Sequence, residues 1–200
     1  MSEPPPIHLP PDGITGPSLQ ECDLILGIYM RMWGNVERAF AELIRKLLDT
    51  DMTTSQIVIR ALGDMRAQRE MAAELGKHRL VDEDRPDFDG LLQRVKTSAT
   101  KRNRLVHGKW ILHLQMGKPP NPMPLTAKSA KWVRVYEPVD REEVLALGIG
   151  RNQKLNAAYQ FWPERIGREA EAAQTLAKDL EGFVKRSTLK PPRIPLPVEW

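Results

Sequence analysis

The stretch from Leu19 to Asp49 constrains the fold of this 200-residue chain more than any other part of the sequence. Its apolar residues recur at steps of three and four, which places them on one face of a long α-helix. These residues are Ile25, Tyr29, Met32, Trp33, Val36, Phe40, Leu43, Ile44 and Leu47. Because large apolar side chains on such a face are usually buried, we expect Tyr29, Trp33 and Phe40 to be core residues rather than platforms that stack on nucleobases.

Three further segments show helical periodicity. A second helix is predicted to begin at an N-cap within Thr53-Thr54-Ser55 and to continue through Leu75. A third is predicted to begin near Asp87 and to end at Gly108, since glycine commonly follows the last residue of a helix. A fourth is predicted to begin at Pro163, because proline fits the first turn of a helix. The sequence therefore predicts a four-helix core.

Between the third and fourth helices the pattern becomes typical of β-structure. Trp110–Met116 and Lys131–Tyr136 are rich in aromatic and β-branched residues and flank a proline-containing loop, so we predict a two-stranded ribbon. A short helix is predicted over Asp140–Leu147. The predicted fold class is mainly α, a four-helix bundle with a small β-ribbon inserted at about residues 109–163. We expect Trp110 and Trp132 to pack this insertion onto the bundle rather than to stack on bases.

Two proline-rich segments flank one predicted helical domain over residues 19–186. Residues 1–18 include Pro4-Pro5-Pro6 and are predicted to form an extended arm. Residues 187–200 contain four prolines and are predicted to form an extended tail. A hydrophobic content of 41% is enough for one sizeable core.

Composition limits the cellular compartments and the classes of partner that are expected for this chain. No apolar stretch approaches the roughly 20 residues that span a bilayer, and residues 1–11 lack the basic and apolar parts of a secretory signal. The single cysteine, Cys22, rules out an intramolecular disulfide framework and is expected to be a buried small hydrophobe. We therefore expect a soluble cytoplasmic protein with no membrane partner. The net charge of +4 is compatible with a phosphate-bearing partner without requiring one.

The end of the third predicted helix carries an arginine where the pattern requires an apolar residue. The apolar positions of this face alternate at spacings of four and three, and the position after Ala99 is Arg102. The preceding positions are Phe88, Leu92 and Val95. Because a buried unpaired charge is costly, we expect Arg102 to extend to solvent, to meet a carboxylate, or to border a cleft or interface that an anion can enter.

Neighbouring residues give this helix end the groups needed for phosphodiester chemistry. Asn103 and His107 are four residues apart and therefore adjacent on the helix surface. An imidazole can exchange a proton near neutral pH, and a guanidinium can bind a pair of phosphate oxygens and stabilise the charge that develops there. No cluster of metal ligands accompanies them, and we expect no metal and no cofactor. The chemistry that fits is metal-free cleavage of RNA with the 2′-hydroxyl as the internal nucleophile.

The run Arg102-Asn103-Arg104-Leu105-Val106-His107-Gly108, hereafter the motif, resembles the RNA-cleaving motif of the HEPN family. The resemblance implies a HEPN-like four-helix bundle over residues 19–186 with the motif at the end of the third helix. It implies that Arg102 binds the scissile phosphate, that Asn103 positions it, and that His107 is the acid or base. The other cations expected to bind RNA are Lys101, Arg104 and Lys109.

The resemblance also implies a biological role and partners. Family members are commonly homodimers in which two motifs face each other, and many are metal-independent endoribonucleases that act as toxins or defence effectors. RNA, a second copy of the chain and an antitoxin protein are therefore the expected partners. The chain departs from the short members of the family because Trp110–Pro163 follows the motif directly, where it can gate RNA or cover the site.

Other accounts of the basic helix end remain open. Cations in the last turn of a helix complement the partial negative charge of its C-terminus, and that role needs no catalysis. The same surface also fits a non-catalytic helical module that binds a nucleotide, RNA or an acidic protein, and salt-sensitive binding that survives His107→Ala would indicate it. A purely structural dimerisation domain would not respond to polyanions.

Three weaker candidates accompany the motif. His113, on the predicted ribbon, is a second basic group close in sequence to His107, and we expect it to be an ordinary half-exposed histidine. The acidic run Asp82-Glu83-Asp84 is expected to be a solvated linker, although paired carboxylates can hold a divalent ion. Glu37 is the carboxylate that we nominate as the partner of the basic helix end.

Overall fold

A computed structural model describes residues 15–116, 127–135 and 160–191. These residues form five α-helices and a three-stranded antiparallel sheet, so the prediction of a mainly helical chain with a small β-insertion is confirmed. The predicted proline loop and the predicted helix over Asp140–Leu147 lie outside the described residues, as do most of both terminal arms. Among the described residues, no helix combines the length and the apolar character needed to cross a bilayer.

The first helix, α1 (Leu19–Leu48), has nearly the predicted bounds and begins with a capping box. The Glu21 carboxylate accepts a hydrogen bond from the Ser18 backbone N–H at 2.7 Å, and Ser18 Oγ accepts one from the Glu21 backbone N–H at 3.3 Å. These reciprocal bonds satisfy backbone donors that a helix start leaves without partners. The apolar face of α1 is buried, and Tyr29, Trp33 and Phe40 are core residues as predicted.

The prediction of one second helix is wrong, because two helices occupy that stretch. They are α2 (Met52–Leu62) and α3 (Met65–Arg79). Gly63 separates them with a φ of 75°, a conformation that costs glycine little and other residues more. Asp64 then begins α3, since its side chain accepts a hydrogen bond from the Ala67 backbone N–H at 2.8 Å.

The predicted N-cap of the second helix is also wrong. Asp51, rather than a residue of Thr53-Thr54-Ser55, caps α2. Its carboxylate accepts hydrogen bonds from the backbone N–H of Thr54 at 2.9 Å and from the Thr54 hydroxyl at 2.7 Å. A carboxylate also interacts favourably with the positive end of the helix dipole, which a hydroxyl does only weakly.

The two remaining helices agree closely with the predictions. α4 (Arg85–His107) begins slightly before Asp87 and ends immediately before Gly108, as predicted. α5 (Pro163–Arg186) begins at the predicted proline.

The acidic run before α4 is largely exposed, as expected of a solvated linker, and it also binds the start of the C-terminal tail. It forms a short 3-10 helix, Asp82–Asp84. Asp82 accepts a hydrogen bond from Lys190 Nζ at 3.0 Å, and Asp84 accepts one from the Thr188 backbone N–H at 2.7 Å. No group of residues suited to a metal ion occurs in the described part of the chain.

The predicted ribbon is present and has a third strand, but its second strand begins at Ala127 rather than at the predicted Lys131. The sheet consists of β1 (Lys109–Met116), β2 (Ala127–Val135) and β3 (Gln160–Phe161), in the order β1-β2-β3. Arg134 on the central strand lies opposite both Trp110 on β1 and Phe161 on β3. A strand of two residues is too short to show a period of two in the sequence, so β3 could not be predicted.

The contacts of the chain define two compact units. The first, hereafter the motif unit, contains the described residues up to Met30 and those from Arg102 to Ala170. The second unit contains Arg31–Lys101 and the described residues from Glu171 onwards. The buried side chains of the motif unit include Cys22, Tyr29, Leu105, Val133, Val135, Phe161 and Ile166. Those of the second unit include Trp33, Phe40, Leu43, Phe88, Leu180 and Phe183.

Candidate functional site

The motif forms the C-terminal end of α4. Leu105 is completely buried, whereas Asn103 and His107 are exposed. With 3.6 residues per turn, positions two residues before and after a buried residue point away from the core. Burial of Leu105 therefore presents Asn103 and His107 to solvent, as a nucleic-acid site at this helix end requires.

Arg102 is half-buried, and its guanidinium is only partly satisfied. Its Nη1 donates a hydrogen bond to Asn103 Oδ1 at 3.2 Å. Its Nε is inaccessible to solvent and has no hydrogen-bond partner among the described residues. An unsatisfied buried donor costs free energy, and the Nε atoms of Arg79 and Arg85, outside the motif, are in the same state.

Arg102 shares its surroundings with Tyr29 and Glu169, which α1 and α5 contribute to the motif unit. Burial raises the pKa of the Tyr29 hydroxyl well above its ordinary value, the Glu169 charge raises it further, and the Arg102 charge opposes that rise. Tyr29 therefore remains protonated at physiological pH and is not a proton acceptor. Sequence reasoning identified Tyr29 only as a core residue and did not identify Glu169.

The nomination of Glu37 as the partner of the basic helix end is wrong. Glu37 belongs to the second unit, where its Oε1 accepts a hydrogen bond from Trp33 Nε1 at 2.6 Å. The two residues are four apart on α1, the spacing at which helical side chains meet. The Glu37 carboxylate is therefore paired with Trp33 on its own helix.

A second arginine, Arg134, binds the end of α4. From β2, its Nε donates a hydrogen bond to the backbone carbonyl of Leu105, and its Nη2 donates one to that of Val106 at 3.2 Å. Its Cζ lies 5.4 Å from the centroid of the Trp110 ring. Trp110 in turn donates a hydrogen bond from Nε1 to Asp23 Oδ1 at 2.8 Å. Burial lowers the pKa of the Arg134 guanidinium, and the charge of Asp23 opposes that shift.

Gly108 follows α4 because space, rather than backbone conformation, requires a glycine there. Its φ is not positive, unlike those of Gly16 and Gly63. A Cβ at this position would lie 2.9 Å from the Arg104 carbonyl oxygen and 3.1 Å from Arg134 Cγ. The absence of a side chain thus lets β2 and its arginine approach the helix end.

The remaining predicted RNA-binding cations differ in exposure. Lys109, the first residue of β1, is exposed, whereas Arg104 and Lys101 are half-buried. Lys101 is assigned to the second unit, since the division falls between it and Arg102. The sheet register places His113 opposite Lys131. The structure therefore gathers Arg102, Asn103, Arg104, His107 and Lys109 in the motif unit.

Cys22 is not a candidate nucleophile. Its side chain is completely buried, as predicted, and burial raises the pKa of its thiol. The neighbouring carboxylates Asp23, Glu21 and Glu164 raise that pKa further. A thiol with a raised pKa carries little thiolate at neutral pH and reacts slowly.

No protein-family model matches this chain, and neither a curated protein nor a solved structure is significantly similar to it.

Proposed function

We propose that this chain is a metal-independent endoribonuclease of the HEPN type, with a HEPN-like four-helix core, that acts on RNA as a homodimer. The observation that carries the proposal is Arg102, a half-buried guanidinium at the end of α4 whose one hydrogen bond among the described residues goes to Asn103. It precedes the exposed His107 by less than two turns of the same helix. A guanidinium can bind a phosphate through its Nη atoms, and an imidazole beside a bound phosphate can transfer protons.

The proposed reaction uses only groups of the RNA and of the motif. The 2′-hydroxyl loses its proton to an imidazole, and its oxygen attacks the adjacent phosphorus. The bond from phosphorus to the 5′-oxygen breaks, and that oxygen takes up a proton, leaving a 2′,3′-cyclic phosphate and a 5′-hydroxyl. Arg102 stabilises the charge on the non-bridging oxygens, and Asn103 holds the guanidinium through its Oδ1. Two facing motifs in a homodimer provide two imidazoles for the two proton transfers.

Cleavage of RNA in the presence of EDTA tests the proposal. We expect the parent to cleave, and His107→Ala and Arg102→Ala to lose about two to four orders of magnitude in rate. Two controls match the removed side chains. His78→Ala removes an exposed histidine from the last turn of α3, and Arg60→Ala removes an exposed arginine from the last turn of α2. Equal decay of RNA with all five proteins would contradict the proposal.

A toxin or defence role with an antitoxin protein as partner belongs to the same proposal. Induced expression of the parent is then expected to arrest cell growth, while expression of His107→Ala at the same level is not. Arrest by both proteins would argue against RNA cleavage as the cause. Light scattering of the purified chain tests the homodimer independently of activity.

One observation favours a non-catalytic binding module as the second candidate. Among the described residues the His107 ring has no hydrogen-bond partner, and Asn103 is bonded to Arg102 instead. A catalytic imidazole is usually oriented by a second group. RNA binding that weakens with salt, is retained in His107→Ala and produces no cleavage would establish the module.

A further inference from the structure

From the central strand of the inserted sheet, Arg134 donates hydrogen bonds to the motif. We propose that Arg134 is a positioning residue for His107, so that the sheet forms part of the site. This inference rests on the proposed RNA cleavage. Arg134 reaches the motif through the backbone of α4, where it donates to the carbonyls of Leu105 and Val106, the two residues immediately before the histidine.

These two carbonyls belong to the part of a helix that is least stable by itself. The last four carbonyls of an α-helix have no partner within the helix, and those of Leu105 and Val106 are two of the four in α4. A cation at this position also interacts favourably with the negative end of the helix dipole. Without Arg134 the last turn is expected to fray, and the backbone of His107, the final helical residue, would lose its fixed position.

Arg134 is itself held from several sides, as a positioning group must be. It lies on the central strand, opposite Trp110 on one neighbour and Phe161 on the other. Its guanidinium lies over the Trp110 ring, and the Trp110 indole is hydrogen bonded to Asp23 of α1. The end of α4 is thus connected to α1 through Arg134 and Trp110 of the sheet.

The same contacts distinguish Arg134 from the arginine proposed to bind phosphate. Two of its three guanidinium nitrogens donate to backbone carbonyls, so its hydrogen bonds stabilise the end of α4. Arg102 instead makes one hydrogen bond among the described residues, to the side chain of Asn103. Arg134 is therefore expected to affect the rate of the bound complex more than the affinity for RNA.

Arg165 provides a matched control in the motif unit. Its Nη1 donates to the Gln160 backbone carbonyl at 2.8 Å, and its Cζ lies 4.6 Å from the centroid of the Phe161 ring. It therefore resembles Arg134 in charge, carbonyl contact and aromatic contact, but it lies at the start of α5 rather than at the end of α4. Arg165→Met removes the same chemical groups from a different place.

The test compares the parent with Arg134→Met, Arg134→Lys and Arg165→Met by steady-state RNA cleavage and by amide hydrogen exchange. For Arg134→Met we expect kcat to fall by about 10- to 100-fold with KM unchanged, because a small displacement of a catalytic group has effects of this size. Arg134→Lys keeps a charge and donors and is expected to recover part of kcat. Exchange is expected to accelerate in the last turn of α4 in Arg134→Met, and Arg165→Met is expected to match the parent in both measurements.

Three results would overturn the inference. A raised KM with unchanged kcat in Arg134→Met would show that Arg134 binds RNA. An equal loss of kcat in Arg165→Met would show that removing any such arginine from the motif unit has the same effect. Unchanged hydrogen exchange in Arg134→Met would show that Arg134 does not order the end of α4. If Arg134→Met does not fold, Arg134→Gln, which retains a donor, takes its place. If the parent cleaves no RNA, the proposed function fails, and the exchange measurement alone decides whether Arg134 orders the helix end.

Discussion

Trp110 donates a hydrogen bond from its indole Nε1 to the carboxylate of Asp23, with 2.8 Å between the two atoms. The bond joins the second residue of β1 to the N-terminal part of α1 within the motif unit. The ring of the same tryptophan faces the Arg134 guanidinium. Trp110 therefore packs the insertion onto α1, as expected, and its indole N–H is used in that contact.

Trp110→Phe is expected to lower the free energy of unfolding by about 1 kcal/mol, because the variant keeps an aromatic ring and loses one hydrogen bond. Urea denaturation measures the change. Trp132→Phe is the control, since Trp132 is half-buried on the same sheet and makes no hydrogen bond with its indole among the described residues. A loss of the same size in both variants would show that the bond to Asp23 contributes nothing.

Gly108→Ala is expected to lower the free energy of unfolding by about 1–3 kcal/mol, the usual cost of excess volume in a packed region. The new Cβ would lie 2.9 Å from a backbone oxygen, that of Arg104, which cannot move as a flexible side chain can. Thermal or urea unfolding measures the effect. Gly27→Ala in α1 is the control, because no atom lies within 4 Å of a Cβ there. That variant is expected to be stabilised by up to about 1 kcal/mol, since alanine is the better helix former.

Lys46→Met is expected to lower the free energy of unfolding by about 2 kcal/mol, the usual size of a hydrogen bond to a charged group. Lys46 Nζ donates to the backbone carbonyls of Val184 and Ser187 and, at 3.0 Å, to the Ser187 hydroxyl. It therefore satisfies acceptors at the C-terminus of α5. Lys77→Met is the control, because its ion pair with Glu74 is exposed and is expected to contribute less than about 1 kcal/mol. Equal effects would contradict this role of Lys46.

Acid is expected to weaken the contact of Asp82 with the start of the C-terminal tail. The pKa of Asp82 lies below its ordinary value of 3.8, first because of the hydrogen bond from Lys190 and then because of the charges of Lys190 and Arg85. The unfolded state therefore binds more protons between the two pKa values, so stability falls as the pH falls. The contribution of Asp82 is complete above its ordinary pKa and is lost as the pH drops through the lowered one.

The difference in unfolding free energy between the parent and Asp82→Asn measures this contribution between neutral pH and about pH 2. We expect the difference to shrink on acidification. Glu83→Gln, which changes a neighbouring carboxylate of the same 3-10 helix without removing an ion pair of the described residues, is the control. A difference that is constant with pH would contradict the assigned role of the Asp82 carboxylate.

The elements that the sequence predicted are those with a long local period. α1 and α5 repeat their apolar residues over many turns, and β1 and β2 are rich in aromatic and β-branched residues. The break between α2 and α3 could not be predicted, because a glycine inside a helical pattern is often tolerated, and only the realised φ of Gly63 shows that the helix ends.

The candidate site was only partly predictable for a related reason. Arg102, Asn103 and His107 stand close together on one helix, so their proximity follows from helical geometry alone. Tyr29, Glu169 and Arg134 come from α1, α5 and β2, and no local pattern connects them to the motif. Glu37 could have been assigned correctly, because the spacing of four residues from Trp33 already predicts their contact.

Gly108 is the only residue between the last position of α4 and the first position of β1. The rotational phase of the helix therefore dictates which side chains of the strand point to each face of the sheet. An insertion of one residue at this joint would exchange the two faces and carry Trp110 away from Arg134. Homologous chains that share this architecture are accordingly expected to keep the joint at a single residue.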